Sequence, residues 1–216
     1  MTRRMGTFAM PVAGALGAGH IVARHVGLPR LAGLLKPLPI AMLAVMVWQG
    51  PSLEGHYSTL VVAGLACSMV GDVCLLEPDR FVAGLASFLV AHLFYIAAFA
   101  SGPHAGGPDA TVLAPFLAVA ATLTAALWRR AGALRWPVGV YVAVISAMGW
   151  QAARRAAAPF TPEPSGILAL AGALLFMMSD GLLAFGRFVR PLPAGDAAVM
   201  VTYYAAQALI ALSTAG

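Results

Sequence analysis

Two aspartates, Asp72 and Asp180, are placed where an acid–base reaction could be carried out. Each lies in an apolar run, 64–76 and 172–184, with a glycine eight residues ahead of it and a leucine pair soon after. An ionised carboxyl group costs several kcal/mol at membrane depth unless it is paired, solvated or neutralised. This cost predicts that both aspartates are catalytic, although each could also be a polar residue that bonds to a neighbouring helix.

Two carboxyl groups that share a site of low dielectric do not both ionise readily. One of them should therefore hold a proton near neutral pH while the other is charged. The two aspartates stand 108 residues apart, half the length of the chain. If the two halves are equivalent, Asp72 and Asp180 face each other as an acid and a base.

Further polar residues are predicted to line the same site. On one run Phe88, His92 and Tyr95 recur at helical spacing, a pattern that also suits simple aromatic packing. Lys36 precedes a proline at a helix start, where it can snorkel to headgroups, bind a phosphate or pair with an ionised aspartate. The predicted substrate-binding residues, one of them taken from a family resemblance given below, are Lys36, His92, Tyr95, Tyr141, Ser179, Tyr203 and Gln207.

These residues must be positioned by membrane helices. The chain has 216 residues, of which 61% are hydrophobic and 10% charged, more apolar surface than one soluble core of this size can bury. The net charge of +5 is typical of membrane topology signals, and no basic stretch is interleaved with aromatics, so we expect no nucleic-acid partner. No spaced set of His, Asp and Glu predicts a metal, and no cofactor is expected.

Apolar runs of spanning length predict an all-α, polytopic transmembrane bundle of about eight helices. The chain should form a single integral membrane domain over 1–216, a multi-pass protein of the plasma membrane or, in a bacterium, the inner membrane. The predicted spans are 6–24, 35–50, 57–76, 81–100, 110–128, 135–153, 165–186 and 196–214.

The loops predict an orientation and a repeat. Nine Lys and Arg lie in the odd-numbered loops and four, including Arg3 and Arg4, on the other side. Both termini should thus lie outside and the aspartates in the cytoplasmic half.

Similar segments follow each aspartate, and Tyr95 and Tyr203 are 108 residues apart. We therefore predict two parallel four-helix repeats, 1–108 and 109–216, related by a pseudo-two-fold along the membrane normal.

At these residues the chain resembles the lysoplasmalogenase family, the YhhN-like membrane proteins. The resemblance covers nearly all of the chain from Leu34 onward and rests on matched motifs: Lys36-Pro37, Gly71-Asp72 with Phe88, His92 and Tyr95, Ser179-Asp180, and Tyr203 with Gln207. It implies an eight-helix enzyme, embedded in the lipid bilayer, that hydrolyses the vinyl-ether bond of a lysophospholipid, the lysoplasmalogen. It implies nothing about the oligomeric state.

Other functions fit some of the same features. A transporter of amphipathic molecules or lysolipids is the main alternative, because parallel repeats with a polar site between them suit alternating access. An intramembrane aspartyl protease also pairs two aspartates, but its Gly-x-Gly-Asp motif matches neither 69–72 nor 177–180. A purely structural membrane protein is disfavoured by two buried carboxyl groups.

Overall fold

The computed structural model of the protein describes residues 2–50, 55–101, 110–158 and 164–215. Arg3 and Arg4, which enter the charge count above, lie outside the described side chains. Within the described ranges the chain forms α-helices and two short 3₁₀ turns, without any strand. The helices are α1 (Thr2–His25), α2 (Pro29–Leu35), α3 (Leu38–Gln49), α4 (Gly55–Cys74), α5 (Phe81–Ala100), α6 (Ala110–Trp128), α7 (Arg135–Ala157), α8 (Ser165–Phe188) and α9 (Gly195–Leu212).

Each of the eight predicted spans coincides with helix, and the all-α, polytopic fold is confirmed. Among the described residues, six segments are long and apolar enough to cross a membrane by length and composition. The other two predicted spans correspond to α1 and to α6, whose apolar part, Val112–Trp128, is shorter. The six segments are Pro29–Gln49, Gly55–Cys74, Pro78–Ala100, Gly132–Ala157, Ser165–Phe188 and Gly195–Leu212.

The second span differs from its prediction. Lys36 was expected to open a helix at the membrane surface, but the candidate span begins at Pro29 and Lys36 lies inside it, at the break between α2 and α3. Pro37 and Pro39 have no backbone N–H, so the helix loses two of its hydrogen bonds at this point. The Tyr204 hydroxyl donates to the Lys36 carbonyl oxygen at 2.9 Å and secures the break. The break carries Lys36 into the bundle, where it is buried.

Polar and apolar residues are distributed as in a membrane bundle. Large apolar side chains such as Trp48 and Leu34 are exposed on the outer surface. Several polar side chains, among them Asp72, His92 and Gln207, are fully or almost fully buried between helices. Apolar side chains face lipid without cost, whereas polar groups need partners inside the bundle.

Helix contacts in the first half recur in the second. Helix α4 packs along α5 as α8 packs along α9, and α3–α4 corresponds to α7–α8. Between the halves, α5 contacts α7 and α3 contacts α9. Gly64 and Gly172, the glycines eight residues ahead of the aspartates, let α4 approach α5 and α8 approach α9 closely. A Cβ at Gly64 would collide with the Tyr95 ring, and one at Gly172 would lie 2.9 Å from the Ala206 carbonyl oxygen. This pattern is what two four-helix repeats would produce, and the repeat itself stays a prediction.

Candidate active site

Asp72 lies near the end of α4 and is surrounded by donors. The Tyr203 hydroxyl donates to its Oδ2 at 2.8 Å, and the Lys36 ammonium lies 3.7 Å from its Oδ1. The side chains of Lys36 and Asp72 are 10% and 1% exposed. A hydroxyl and a cation at opposite oxygens favour the ionised carboxylate, because each interacts more strongly with a negative charge than with a neutral acid.

Asp180 has a different environment. The Tyr141 hydroxyl donates to its Oδ2 at 2.6 Å, and the His92 Nε2 lies 3.7 Å from the same oxygen. Its side chain is 15% exposed. No Lys or Arg within the described ranges forms an ion pair with it. Because both contacts involve Oδ2, Oδ1 is the oxygen on which Asp180 can carry a proton.

The His92 imidazole is held by aromatic rings. It packs edge-on against Tyr141 and Phe176, with ring centroids 5.3 Å and 4.7 Å away. It is fully buried, and neither ring nitrogen has a hydrogen-bond partner among the described residues. At 3.7 Å the His92 Nε2 and the Asp180 Oδ2 are too far apart for a direct hydrogen bond.

Three of the predicted substrate-binding residues bond to protein groups other than the two aspartates. The Tyr95 hydroxyl donates to Gln207 Oε1 at 2.6 Å, and both residues are fully buried. The Ser179 hydroxyl donates to the Val199 carbonyl oxygen at 3.0 Å and ties α8 to α9. Of these three only Ser179 borders the cavity described next. Their contact with a substrate therefore stays a prediction, whereas their role in holding the helices is visible.

The two aspartates border one cavity. This main cavity, of about 1560 Å³, lies between α1, α2, α4, α5, α8 and α9, with Asp72, Tyr203 and Phe88 at its buried end. Its mouth carries exposed charged residues at the ends of these helices: Arg24, Arg30, Glu77, Arg187 and Asp196. Arg24 and Asp196 form an ion pair of 3.0 Å across the mouth. The cavity thus leads from a charged rim to two carboxyl groups.

A second cavity adjoins the first. This apolar crevice, of about 360 Å³, lies between α5, α6, α7 and α8. Asp180, Phe81 and Leu183 border both cavities. Tyr141 and Asp180 supply the only polar side chains among the described residues that line the crevice. Asp180 therefore stands where the main cavity, with its charged rim, meets the apolar crevice, whereas Asp72 borders only the main cavity.

The opposite end of the bundle is packed. Tyr57, at the start of α4, hydrogen-bonds to Ser213 with 2.6 Å between their oxygens. The buried Arg155 guanidinium lies 4.0 Å from the centre of the Tyr57 ring and donates to the Ser101 carbonyl oxygen at 2.9 Å. Neither cavity includes any of these residues.

Sequence reasoning missed three features of the site. It did not identify Tyr204 as the residue that secures the α2–α3 break, although its place beside Tyr203 put it near the site. It counted Arg24, Arg30 and Arg187 only as topology signals, whereas they share one cavity mouth. The apolar crevice has no signal in the sequence, because its lining residues look like ordinary membrane-facing positions.

Comparison with known proteins gives a consistent set of relatives. The sequence model of the YhhN family matches residues 31–214. Lysoplasmalogenase TMEM86B of Homo sapiens is 40% identical over 183 residues, 84% of this chain and 74% of that protein. Lysoplasmalogenase TMEM86A of Homo sapiens is 38% identical over 188 residues, 83% and 76% of the two chains. The uncharacterized membrane protein YhhN of Escherichia coli O157:H7 is 31% identical over 183 residues, 83% and 85% of the two chains. No solved structure matches the chain significantly.

Proposed function

We propose that this chain, which belongs to the YhhN family, is a membrane hydrolase that cleaves the vinyl-ether bond of lysoplasmalogens to a fatty aldehyde and a glycerophospho-base. The names of its human relatives support the substrate class. The observation that carries the proposal is the pair of aspartates on one cavity, each with its own set of hydrogen-bond donors.

A vinyl ether is stable to base and is cleaved by acid. Its hydrolysis begins when a proton is added to the alkene carbon remote from the oxygen, and the product is an oxocarbenium ion. An enzyme for this reaction therefore needs a neutral acid at that carbon, and a fixed negative charge near the cation that forms. Two carboxyl groups in different protonation states meet both needs.

The contacts of the two aspartates support a division of these roles. Asp180, whose Oδ1 can carry a proton, is the acid that protonates the alkene carbon. Asp72, with Lys36 and Tyr203 at its two oxygens, is the carboxylate that stabilises the oxocarbenium ion. His92 and Tyr141 hold Asp180 through its other oxygen.

Protons and bonds balance over the remaining steps. A water attacks the oxocarbenium carbon and gives its proton to Asp72, which produces a hemiacetal. The hemiacetal hydroxyl then gives its proton to the Asp180 carboxylate, and the bond between the hemiacetal carbon and the glycerol oxygen breaks. The glycerol oxygen takes the proton from Asp72. The aldehyde and the glycerophospho-base leave, with Asp180 again neutral and Asp72 again charged.

The charged mouth supports the placement of the headgroup. Arg24, Arg30 and Arg187 border the main cavity at its rim, and guanidinium groups bind phosphate well. The same arginines lie in odd-numbered loops, which the charge count assigns to the cytoplasmic side. We therefore place the headgroup at the rim and the entrance on the cytoplasmic face, with both termini outside.

A transporter remains a chemically different candidate. In alternating access the site opens to one side of the membrane at a time, so the packing of Tyr57, Ser213 and Arg155 at the far end of the bundle is compatible with a transporter as well as with an enzyme. Purified protein in detergent separates the two, because it can release aldehyde without a sealed compartment and cannot display transport.

The test is the release of aldehyde from a lysoplasmalogen by the purified protein and its Asp72→Asn and Asp180→Asn variants. Loss of an acid or base should lower the rate by roughly 10²–10⁴-fold. The matched control is Asp79→Asn, an exposed aspartate outside both cavities, which should retain full activity. Folding is checked by the melting temperature in detergent. Full activity in either site variant, or none in the unmodified protein, would contradict the proposal.

A further inference from the structure

The apolar crevice reaches the proposed acid from the side of the lipid. Val119 on α6 and Leu174 on α8 border it and are 42% and 47% exposed on the outer surface of the bundle. In a membrane that surface faces hydrocarbon chains, so the crevice opens laterally into the bilayer. Its volume of about 360 Å³ falls within the range of roughly 300–1,000 Å³ that is usual for small-molecule sites.

The crevice also has the lining of a ligand site. An apolar pocket with a few convergent polar groups is the usual form of such a site. Here the convergent groups are the Asp180 carboxyl and the Tyr141 hydroxyl, which are hydrogen-bonded to each other and lie between the Leu174 and Phe188 ends of the crevice. The end bordered by Val119, Ile145 and Leu174 has no polar side chain among the described residues.

A lysoplasmalogen likewise consists of an apolar part and a charged part. Its alkenyl chain is apolar, its glycerophospho-base is charged, and the vinyl ether lies where the two parts meet. Asp180, Phe81 and Leu183 lie where the apolar crevice meets the charged main cavity. We propose that the crevice between α5, α6, α7 and α8 binds the alkenyl chain, which enters from the bilayer, while the headgroup occupies the main cavity.

This inference rests on the proposed function and adds a reason for the division of roles. The alkene carbon that receives the proton is the one bonded to the hydrocarbon chain, and the ether oxygen lies on the glycerol side of it. A chain in the crevice therefore presents that carbon to Asp180. Asp72, which borders only the main cavity, lies on the side of the glycerol oxygen, from which water attacks.

The first test changes the capacity of the crevice. Leu174→Trp adds volume at one end of the crevice, six residues from Asp180 on α8, and should displace the end of a long chain. If two methylene groups lose their site, kcat/KM for a hexadecenyl substrate should fall roughly 15-fold. A butenyl substrate, too short to reach Leu174, should be cleaved at the unmodified rate. Val119→Phe, from the facing helix, provides a second variant with the same expected pattern.

The matched control is Ile167→Trp. Ile167 lies seven residues before Leu174 on the same stripe of α8, is exposed on the outer surface, and does not border the crevice. It should leave the rates for both chain lengths unchanged. An equal response of the two substrates to Leu174→Trp and to Val119→Phe would overturn the inference.

A second measurement does not depend on turnover. A 1-O-alkyl lysophospholipid lacks the alkene and is not cleaved, so one that carries a terminal diazirine can label the protein where its chain ends. Labelling at α6 and α8 around Val119 and Leu174, competed by unlabelled alkyl lysophospholipid, would support the inference. Labelling confined to the helices around the main cavity, or labelling of the crevice without competition, which indicates bulk bilayer lipid, would overturn it.

The two proposals fail in different ways. If the unmodified protein releases no aldehyde from any lysoplasmalogen, the proposed function fails, whatever the labelling pattern. If it releases aldehyde but the crevice variants do not alter the chain-length profile, the function stands and the crevice is not the chain site.

Discussion

Replacement of Lys36, the single lysine of the chain, tests the proposed role of Asp72 most directly. The Lys36 Nζ and the Asp72 Oδ1 are 3.7 Å apart, and both side chains are at most one-tenth exposed. With an effective dielectric of about 20, this separation corresponds to an attraction of about 4.5 kcal/mol. In Lys36→Met the carboxyl group loses that stabilisation and takes up a proton, so the reaction loses its base.

The expected result is a fall in kcat of about three orders of magnitude, because each 1.36 kcal/mol corresponds to a factor of ten. The assay is aldehyde release from a lysoplasmalogen in detergent at saturating substrate. Lys36→Arg keeps the cation and should retain much more activity. If Lys36 instead bound the headgroup phosphate, Lys36→Met would raise KM and leave kcat unchanged, and that result would refute the reasoning.

Stability provides an independent check on the same pair. Removal of one partner from a buried ion pair destabilises a protein by roughly 3–5 kcal/mol, whereas replacement of both partners is much less costly. The double variant Lys36→Met/Asp72→Asn should therefore melt at a higher temperature than Lys36→Met alone. Arg24→Gln breaks an exposed ion pair with Asp196 and should change the unfolding free energy by about 1 kcal/mol or less. Additive effects at Lys36 and Asp72 would mean that the two groups do not interact.

Two further predictions follow from the packing of the site. Tyr203→Phe removes a hydrogen bond to the proposed carboxylate Asp72, worth about 1.5–3 kcal/mol, so kcat should fall roughly 10–150-fold while KM changes little. Tyr141→Phe removes one to the proposed neutral acid Asp180, worth about 0.5–1.5 kcal/mol, so kcat should fall roughly 2–13-fold. An unchanged kcat would show that the tyrosines do not orient the aspartates. Gly64→Ala places a methyl group against the buried Tyr95 ring and should lower the unfolding free energy by about 1–3 kcal/mol. The control is Gly14→Ala, which should be neutral or stabilising because nothing lies within 4 Å of its Cβ. Melting temperatures in detergent compare the two, and equal values would contradict the close packing.

The helices were predictable because length and apolarity determine them. A bilayer requires about 20 apolar residues for each span, and the eight runs of that kind all coincide with helix. The start of the second span was placed six residues late, because Lys36 and Pro37 together look like the beginning of a helix. In the structure the two prolines interrupt a longer span, and only the position of Tyr204 shows how the broken helix is secured.

The composition of the site was partly predictable. A carboxyl group in an apolar run stands out in any sequence, so Asp72 and Asp180 could be identified. Which polar residue faces which aspartate depends on the rotation of each helix about its axis, and a sequence fixes that only loosely. The hydrogen bond between Tyr95 and Gln207 was therefore not predictable, and their contact with a substrate stays a prediction.

The different environments of the aspartates also bear on the predicted repeat. Each aspartate has one partner from its own half and one from the other: Lys36 and α9 contact Asp72, whereas Tyr141 and α5 contact Asp180. The corresponding helices thus supply partners of different chemistry, a cation for one carboxyl group and a neutral hydroxyl for the other. A symmetric pair would have no reason to keep its single proton on one side. If the halves arose from one repeat, the cation at Lys36 is the change that separates the proposed base, Asp72, from the proposed acid, Asp180.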